Sequence, residues 1–171
     1  ARLDHGEARE ALERAIITRR VLEERVSNIQ AQIETGGAEV GLLSELGNIK
    51  HRLGRYDEAA KDYRRLLEKD PGNIKALFAL VVTYTDGLDY DRAMKTLETI
   101  GRMQPSNPEV DYNMACILSQ QGRTDEAAAR LRQALAKGFH SRDLVMKDPD
   151  LYNLRKSPAF KLLLNELGIV P

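Results

Sequence analysis

A chain of 171 residues, 42% of them apolar, is long enough for one domain with a real core. Its 26 basic and 26 acidic residues cancel, and no stretch forms a basic arm or an acidic tail, which argues against bulk electrostatic capture of nucleic acid or of an anionic membrane. The single cysteine, Cys116, excludes an internal disulfide, and no apolar run approaches the roughly 20 residues needed to span a bilayer.

From about Asp4 to Glu34 there is no proline, and the only glycine is Gly6. Leu12, Ala15, Leu22, Val26, Ile29 and Ile33 recur at helical spacing, with Arg19 interrupting the seam. The pattern predicts one helix of about 30 residues, some ~45 Å long, ended by Thr35-Gly36-Gly37. Two uses are open for it: a cap packed on the helices after it, or a coiled coil or exchanged helix that forms a dimer. The opening Ala in a helix-like stretch leaves room for a longer precursor.

Beyond Gly37 the chain repeats itself. Ala59, Ala93 and Ala127 are 34 residues apart, as are Asp57, Asp91 and Asp125. Tyr63, Leu97 and Leu131 keep the same step, and so do Leu46, Leu80 and Met114. Pro71 and Pro105 follow it, with Phe139 in the third place, and Gly54, Gly87 and Gly122 punctuate each unit to within one residue. Three units are expected, 40–73, 74–107 and 108–141, each a helix, a short turn and a second helix. Asp57 and Glu58 fall in the first turn of a second helix, where carboxylates suit the helix dipole. Pro71-Gly72 ends that helix. The alanines, with Gly47 and Ala115 on the first helices, sit where helices must approach closely; Val81 is a bulkier variant.

The run Leu46-Gly47, Gly54-Arg55-Tyr56-Asp57-Glu58-Ala59, Tyr63, Pro71, repeated as Gly122-Arg123-Thr124-Asp125-Glu126-Ala127 with Leu131, resembles the tetratricopeptide-repeat (TPR) signature. Lys50, at a usually aromatic position, and Asp111, at a usually bulky one, depart from it. The resemblance implies an all-α, right-handed superhelix of helix-turn-helix units with capping helices at both ends. Residues Gly6-Glu7-Ala8, Leu12 and Ala15 resemble the second helix of a missing repeat, which would continue a preceding array.

The tail, from Phe139 through Leu144, Asp148-Pro149-Asp150-Leu151 and Leu154 to Ser157-Pro158-Ala159-Phe160, resembles the closing segment of bacterial TPR arrays. A solenoid leaves its last apolar face open, and a terminal helix has to cover it. Ser157 is the expected N-cap with Pro158 at N1, followed by Phe160, Leu163, Leu164 and Leu167 on one face. The end four residues after Leu167 is expected to be the natural C-terminus.

No catalytic constellation is visible. His5, His51 and His140 lack ligand spacing, and Cys116 has no second cysteine within a CxxC. Gly36-Gly37 matches no phosphate loop. Neither enzyme activity, metal nor cofactor is expected. The resemblance implies a concave groove lined by first helices. It would present Ser44, Asn48, His51 and Arg52 from the first repeat and Lys75, Phe78, Val82 and Thr85 from the second. From the third it would present Tyr112, Asn113, Cys116 and Ser119. The dicarboxylate clamp of chaperone-binding TPRs is absent: of its positions, occupied here by Ser44, Asn48, Ala79, Glu109 and Asn113, only Asn48 matches.

The expected function is a non-catalytic module holding a peptide or helix of another protein, with no nucleic-acid partner and no membrane insertion. Two alternatives stand beside it. One is a scaffold that self-assembles into a homo-oligomer through the N-terminal helix or the groove; the other is a small chaperone like those of bacterial secretion systems. A soluble protein is expected, with bacterial cytoplasm and periplasm both open.

Overall fold

The computed structural model describes residues 5–36 and 39–166. Asp4, Gly37 and Leu167, and the side chains of His5 and Gly6, lie outside this description, so the readings placed on them are not taken further. Every regular element among the described residues is helical. The chain divides into two compact units, Ala1–Gly87 and Leu88–Pro171. The division falls inside the second 34-residue period.

In the first unit, α1 (His5–Glu34) precedes α2 (Glu39–Arg52), α3 (Tyr56–Lys69) and α4 (Ile74–Asp86). α2 and α3 approach closely at Gly47, and the sequence shows why. Gly47 leaves room for the Tyr63 ring: a Cβ built on Gly47 would stand 2.8 Å from two ring carbons. Tyr63 is 1% exposed, and its hydroxyl donates to Asn48 Oδ1 at 2.7 Å. Burial pushes that phenol up to about 12, with Asp62 adding to the shift. Ala59 and Ala60 are buried in the same helix pair.

Lys50 departs from the repeat pattern without leaving a bare charge. Its Nζ donates to Asp62 Oδ2 at 2.6 Å, both side chains are 6% exposed, and Glu58 lies 3.9 Å away. A buried pair of this kind adds little net stability, but losing one partner is costly. Asp111 behaves likewise in the second unit. Its carboxylate accepts from Arg130 Nη1 at 3.1 Å and pairs with Lys137 Nζ at 2.6 Å.

α1 is one continuous helix, but it packs along only half its length. Val26 and Ile29 are buried against Leu46 and Ile49, with Leu22 and Ile33 beside them. Arg25 forks onto Glu45 at 2.8 and 3.1 Å, and Arg55 reaches Glu23 at 2.9 Å. Residues 7–21 are exposed throughout. The expected cap is therefore the C-terminal half of α1 alone.

The second unit holds α5 (Tyr90–Met103), α6 (Pro108–Gln120), α7 (Thr124–Ala136), α8 (Arg142–Lys147), a 3-10 turn (Pro149–Leu151), α9 (Tyr152–Lys156) and α10 (Pro158–Glu166). Leu151, Leu154, Phe160, Leu163 and Leu164 cover Leu118, Ala127, Leu131 and Ala134, which is the closing role expected of the tail. Ser119 pins it: its Oγ accepts from Leu154 N–H at 3.2 Å, and its carbonyl accepts from Asn153 Nδ2 at 2.9 Å. Ser157 caps α10 by accepting from Phe160 N–H at 3.3 Å, with Pro158 as the first helical residue.

Capping and turns repeat with the period. Asn73 and Asn107 cap α4 and α6 through their side chains. Gly54 and Gly122 take φ of 74° and 75° in equivalent turns. The middle repeat differs, because the left-handed position there is Leu88 at φ 60°. Its glycine stands one residue earlier, where a Cβ would come within 3.2 Å of Tyr56 Cβ and the Thr83 carbonyl. The one-residue offset of Gly87 thus has a packing cause.

Gly47→Ala tests the close approach. Replacing a mid-helix glycine should stabilise by up to about 1 kcal/mol through helix propensity. Overpacking against a rigid buried ring should cost ~1–3 kcal/mol. Urea denaturation should therefore show a net loss, whereas a gain near 1 kcal/mol would mean that Tyr63 does not crowd this position.

Candidate interaction surface

The first-unit candidates lie on two neighbouring helices. α2 carries Asn48 and Arg52 one turn apart, both exposed, with Ser44 half-buried before them. α4 carries exposed Lys75, half-buried Phe78 and Thr85, and Val82 at 46% exposure. His51 joins the two helices. Its Nδ1 lies 3.1 Å from Thr83 Oγ1, its Nε2 lies 3.0 Å from Asp86 Oδ2, and its ring meets Tyr56 edge-on. It is a structural strut rather than the solvated helix-end histidine that its position suggests. The core residues Leu77, Leu80 and Val81 are buried, so Val82 is left over once packing on α4 is complete.

The second-unit candidates are placed differently. Asn113 is half-buried and donates from Nδ2 to the Glu109 carbonyl at 2.8 Å. Tyr112 and Cys116, at 7% and 6% exposure, belong to the core beneath the C-terminal helices. The Tyr112 ring stacks on Phe139 with centroids 4.2 Å apart, and its hydroxyl donates to Asp148 Oδ2 at 2.6 Å. Burial, then this bond, holds its phenol well above the ordinary value. Burial likewise pushes the Cys116 thiol up, with Asp148 and Asp150 adding to the shift, so it stays protonated and is a poor nucleophile. Ser119 is fully buried and spends its hydroxyl on the tail. The expectation that Tyr112 and Cys116 offer an open surface is corrected. The 34-residue frame gives the face of a helix, but the non-repeating tail decides what covers that face.

No cluster of His, Cys, Asp and Glu able to hold a metal occurs among the described residues, and no described helix is long and apolar enough to cross a membrane. Leu12, Ile16, Ile17 and Val21 are each 57% to 63% exposed on the open half of α1. Beside them a hollow of about 320 Å³ is walled by Ala15, Thr18, Leu22, Arg52 and Leu53. The signal was present in the sequence, since Ile17 and Val21 fall off the stripe that packs on α2.

A family model described as tetratricopeptide repeat matches residues 51–115 and again 89–146. The chain belongs to the tetratricopeptide-repeat family. Among curated relatives, tetratricopeptide repeat protein 8 of Caenorhabditis elegans is 32% identical over 93 residues, covering 53% of this chain and 18% of that protein. Hsp70-Hsp90 organizing protein 2 of Arabidopsis thaliana is 27% identical over 119 residues, covering 68% and 20%. The chain thus spans about a fifth of the length of these TPR relatives. Among solved structures, a MamA RS-1 ArsTM double mutant aligns with a TM-score of 0.61 at 14% identity over 96% of both chains. A MamA AMB-1 structure aligns at 0.53 and 23% identity, covering 85% of this chain and 96% of that one. At these identities the likeness shows the TPR solenoid fold alone.

The buried setting of Tyr112 can be measured. Tyr112→Ala should cost about 3–5 kcal/mol of stability, as for other large buried aromatics. Tyr112→Phe keeps the stack and should cost only the charged hydrogen bond, about 1.5–3 kcal/mol. Thermal melts of both variants decide: unchanged melting of the alanine variant would return Tyr112 to an open surface.

Proposed function

We propose that this chain is a non-catalytic interaction module that holds a peptide or helix of a partner protein on its first helices. The observation that supports the reading best is the exposed Val82 beside half-buried Phe78, with exposed Asn48 and Arg52 on the adjoining helix. These side chains are surplus to the core. Asn48 supplies an amide for a ligand backbone, and Lys75 and Arg52 add isolated charges. The apolar anchor implies a neutral or weakly charged ligand and a mild salt dependence. Membership of the TPR family and the relative named an Hsp70-Hsp90 organizing protein agree with a protein ligand. That relative's name does not extend to a carboxylate-clamp role here, since Glu109 stands at a clamp position and would repel a carboxylate.

A second reading, self-assembly, is favoured by the open half of α1. Ala8, Leu12 and Ala15 repeat the spacing of Ala59, Tyr63 and Leu66, which are all buried at 1% or less, yet the α1 residues are exposed. It is a second-helix face without a companion. One set of variants separates the readings. Val82→Asp and Asn48→Asp, the latter keeping an acceptor for the Tyr63 hydroxyl, should each weaken binding of a purified partner by more than about 1 kcal/mol without shifting the melting temperature. Light scattering of the intact chain should stay at monomer mass as concentration rises. Concentration-dependent growth that Leu12→Asp with Ile16→Asp abolishes, with full partner affinity in the Val82 and Asn48 variants, would replace the module by the scaffold.

A further inference from the structure

The C-terminal helices do more than close the core. Between α8 and α10 lies a hollow of about 210 Å³, walled by Leu135, Phe139, Val145, Met146, Phe160 and Leu163. A second hollow of about 460 Å³ shares Met146, Phe160 and Leu164 with the first, so the two adjoin. Their origin is the shortness of α8, which has six residues and buries only Val145. One turn cannot cover the flank of α10.

The charge around these hollows has one sign. Arg142 lines the first, and Arg155 and Lys161 line the second; no carboxylate lines either. Arg142 and Lys161 are exposed. Arg155 donates to the Asp148 backbone carbonyl. The nearby acids are engaged elsewhere: Asp143 with Lys147 at 3.1 Å, Glu166 with Arg132 at 2.6 Å, and Asp148 with the Tyr112 hydroxyl. An apolar floor under a cationic rim selects a ligand with apolar anchors flanked by negative charge, and like charge is rejected.

We propose that this groove between α8 and α10 is a second docking surface, and that its occupant is an acidic amphipathic helix of a partner protein. Two adjoining hollows suit two anchors one helical turn apart, with carboxylates reaching Arg142 and Lys161. The surface goes beyond the binding proposed for the first helices, uses none of their residues, and differs in being sensitive to salt.

The test uses the full chain and a labelled helical peptide of glutamates and alanines carrying two leucines one turn apart. Its counterpart has lysine for every glutamate. Anisotropy should show the glutamate peptide binding at least about 10-fold more tightly than the lysine peptide, with affinity falling as salt rises. Arg142→Glu with Lys161→Glu, both at exposed positions, should remove about 10-fold of that affinity without changing the melting temperature. Amide shifts should fall on α8 and α10. Equal binding of the two peptides, no binding, or shifts confined to α2 and α4 would overturn the proposal. Binding that appears only when residues 167–171 are deleted would also overturn it, by giving the groove to the chain's own last residues.

Discussion

The approach of α2 to α3 at Gly47 sets the geometry on which the rest of the first unit depends. A hydrogen at one helix position is matched by the largest fully buried side chain of the unit, Tyr63, on the other. At that separation the interior packs at solid density, and a single methyl group matters. The third repeat solves the same contact with a different pair. Ala115 and Leu131 hold the equivalent positions, and both are fully buried in one core. Small faces large in each case, with the volume divided differently. The period in the sequence is the imprint of this constraint: alanine, glycine and bulky residues recur because the contact recurs.

A core closed in this way leaves the remaining side chains free for other work. The two positions where charge replaces an apolar residue are absorbed by local pairing. Lys50 finds Asp62 one helix away, and Asp111 finds Arg130 and Lys137. These pairs are structural, and neither aims an unpaired polar group at a ligand. What lies open instead is apolar: Val82 on α4, the first half of α1, and the groove of the C-terminal helices. A surface of this kind recognises shape and apolar anchors, which is the chemistry of protein recognition.

Much of this was legible in the residues. The turns, the Ser157-Pro158 start of the last helix and the close-contact alanines all follow from repetition and local chemistry. What escaped was whatever the repeat does not encode. Tyr112 occupies a groove position by period, yet the non-repeating Phe139 and Asp148 enclose it. α1 was foreseen as one helix, but its apolar stripe does not say where the partner helix ends. Leu88 takes the left-handed turn because the glycine is needed one residue earlier, against Tyr56. In each case a tertiary contact overrides a local signal that points the other way.

A double-mutant cycle measures the matched-volume contact directly. Gly47→Ala combined with Tyr63→Leu transplants the pair of the third repeat into the first. Asn48, which loses its hydrogen bond from Tyr63, is exposed and turns to water. If matched volume sets the approach, the double variant will be more stable than the sum of the single effects by about 1 kcal/mol or more, within the range seen for residues in contact. Single effects that add to within about 0.5 kcal/mol would contradict it, and would show that Gly47 and Tyr63 do not set the approach together.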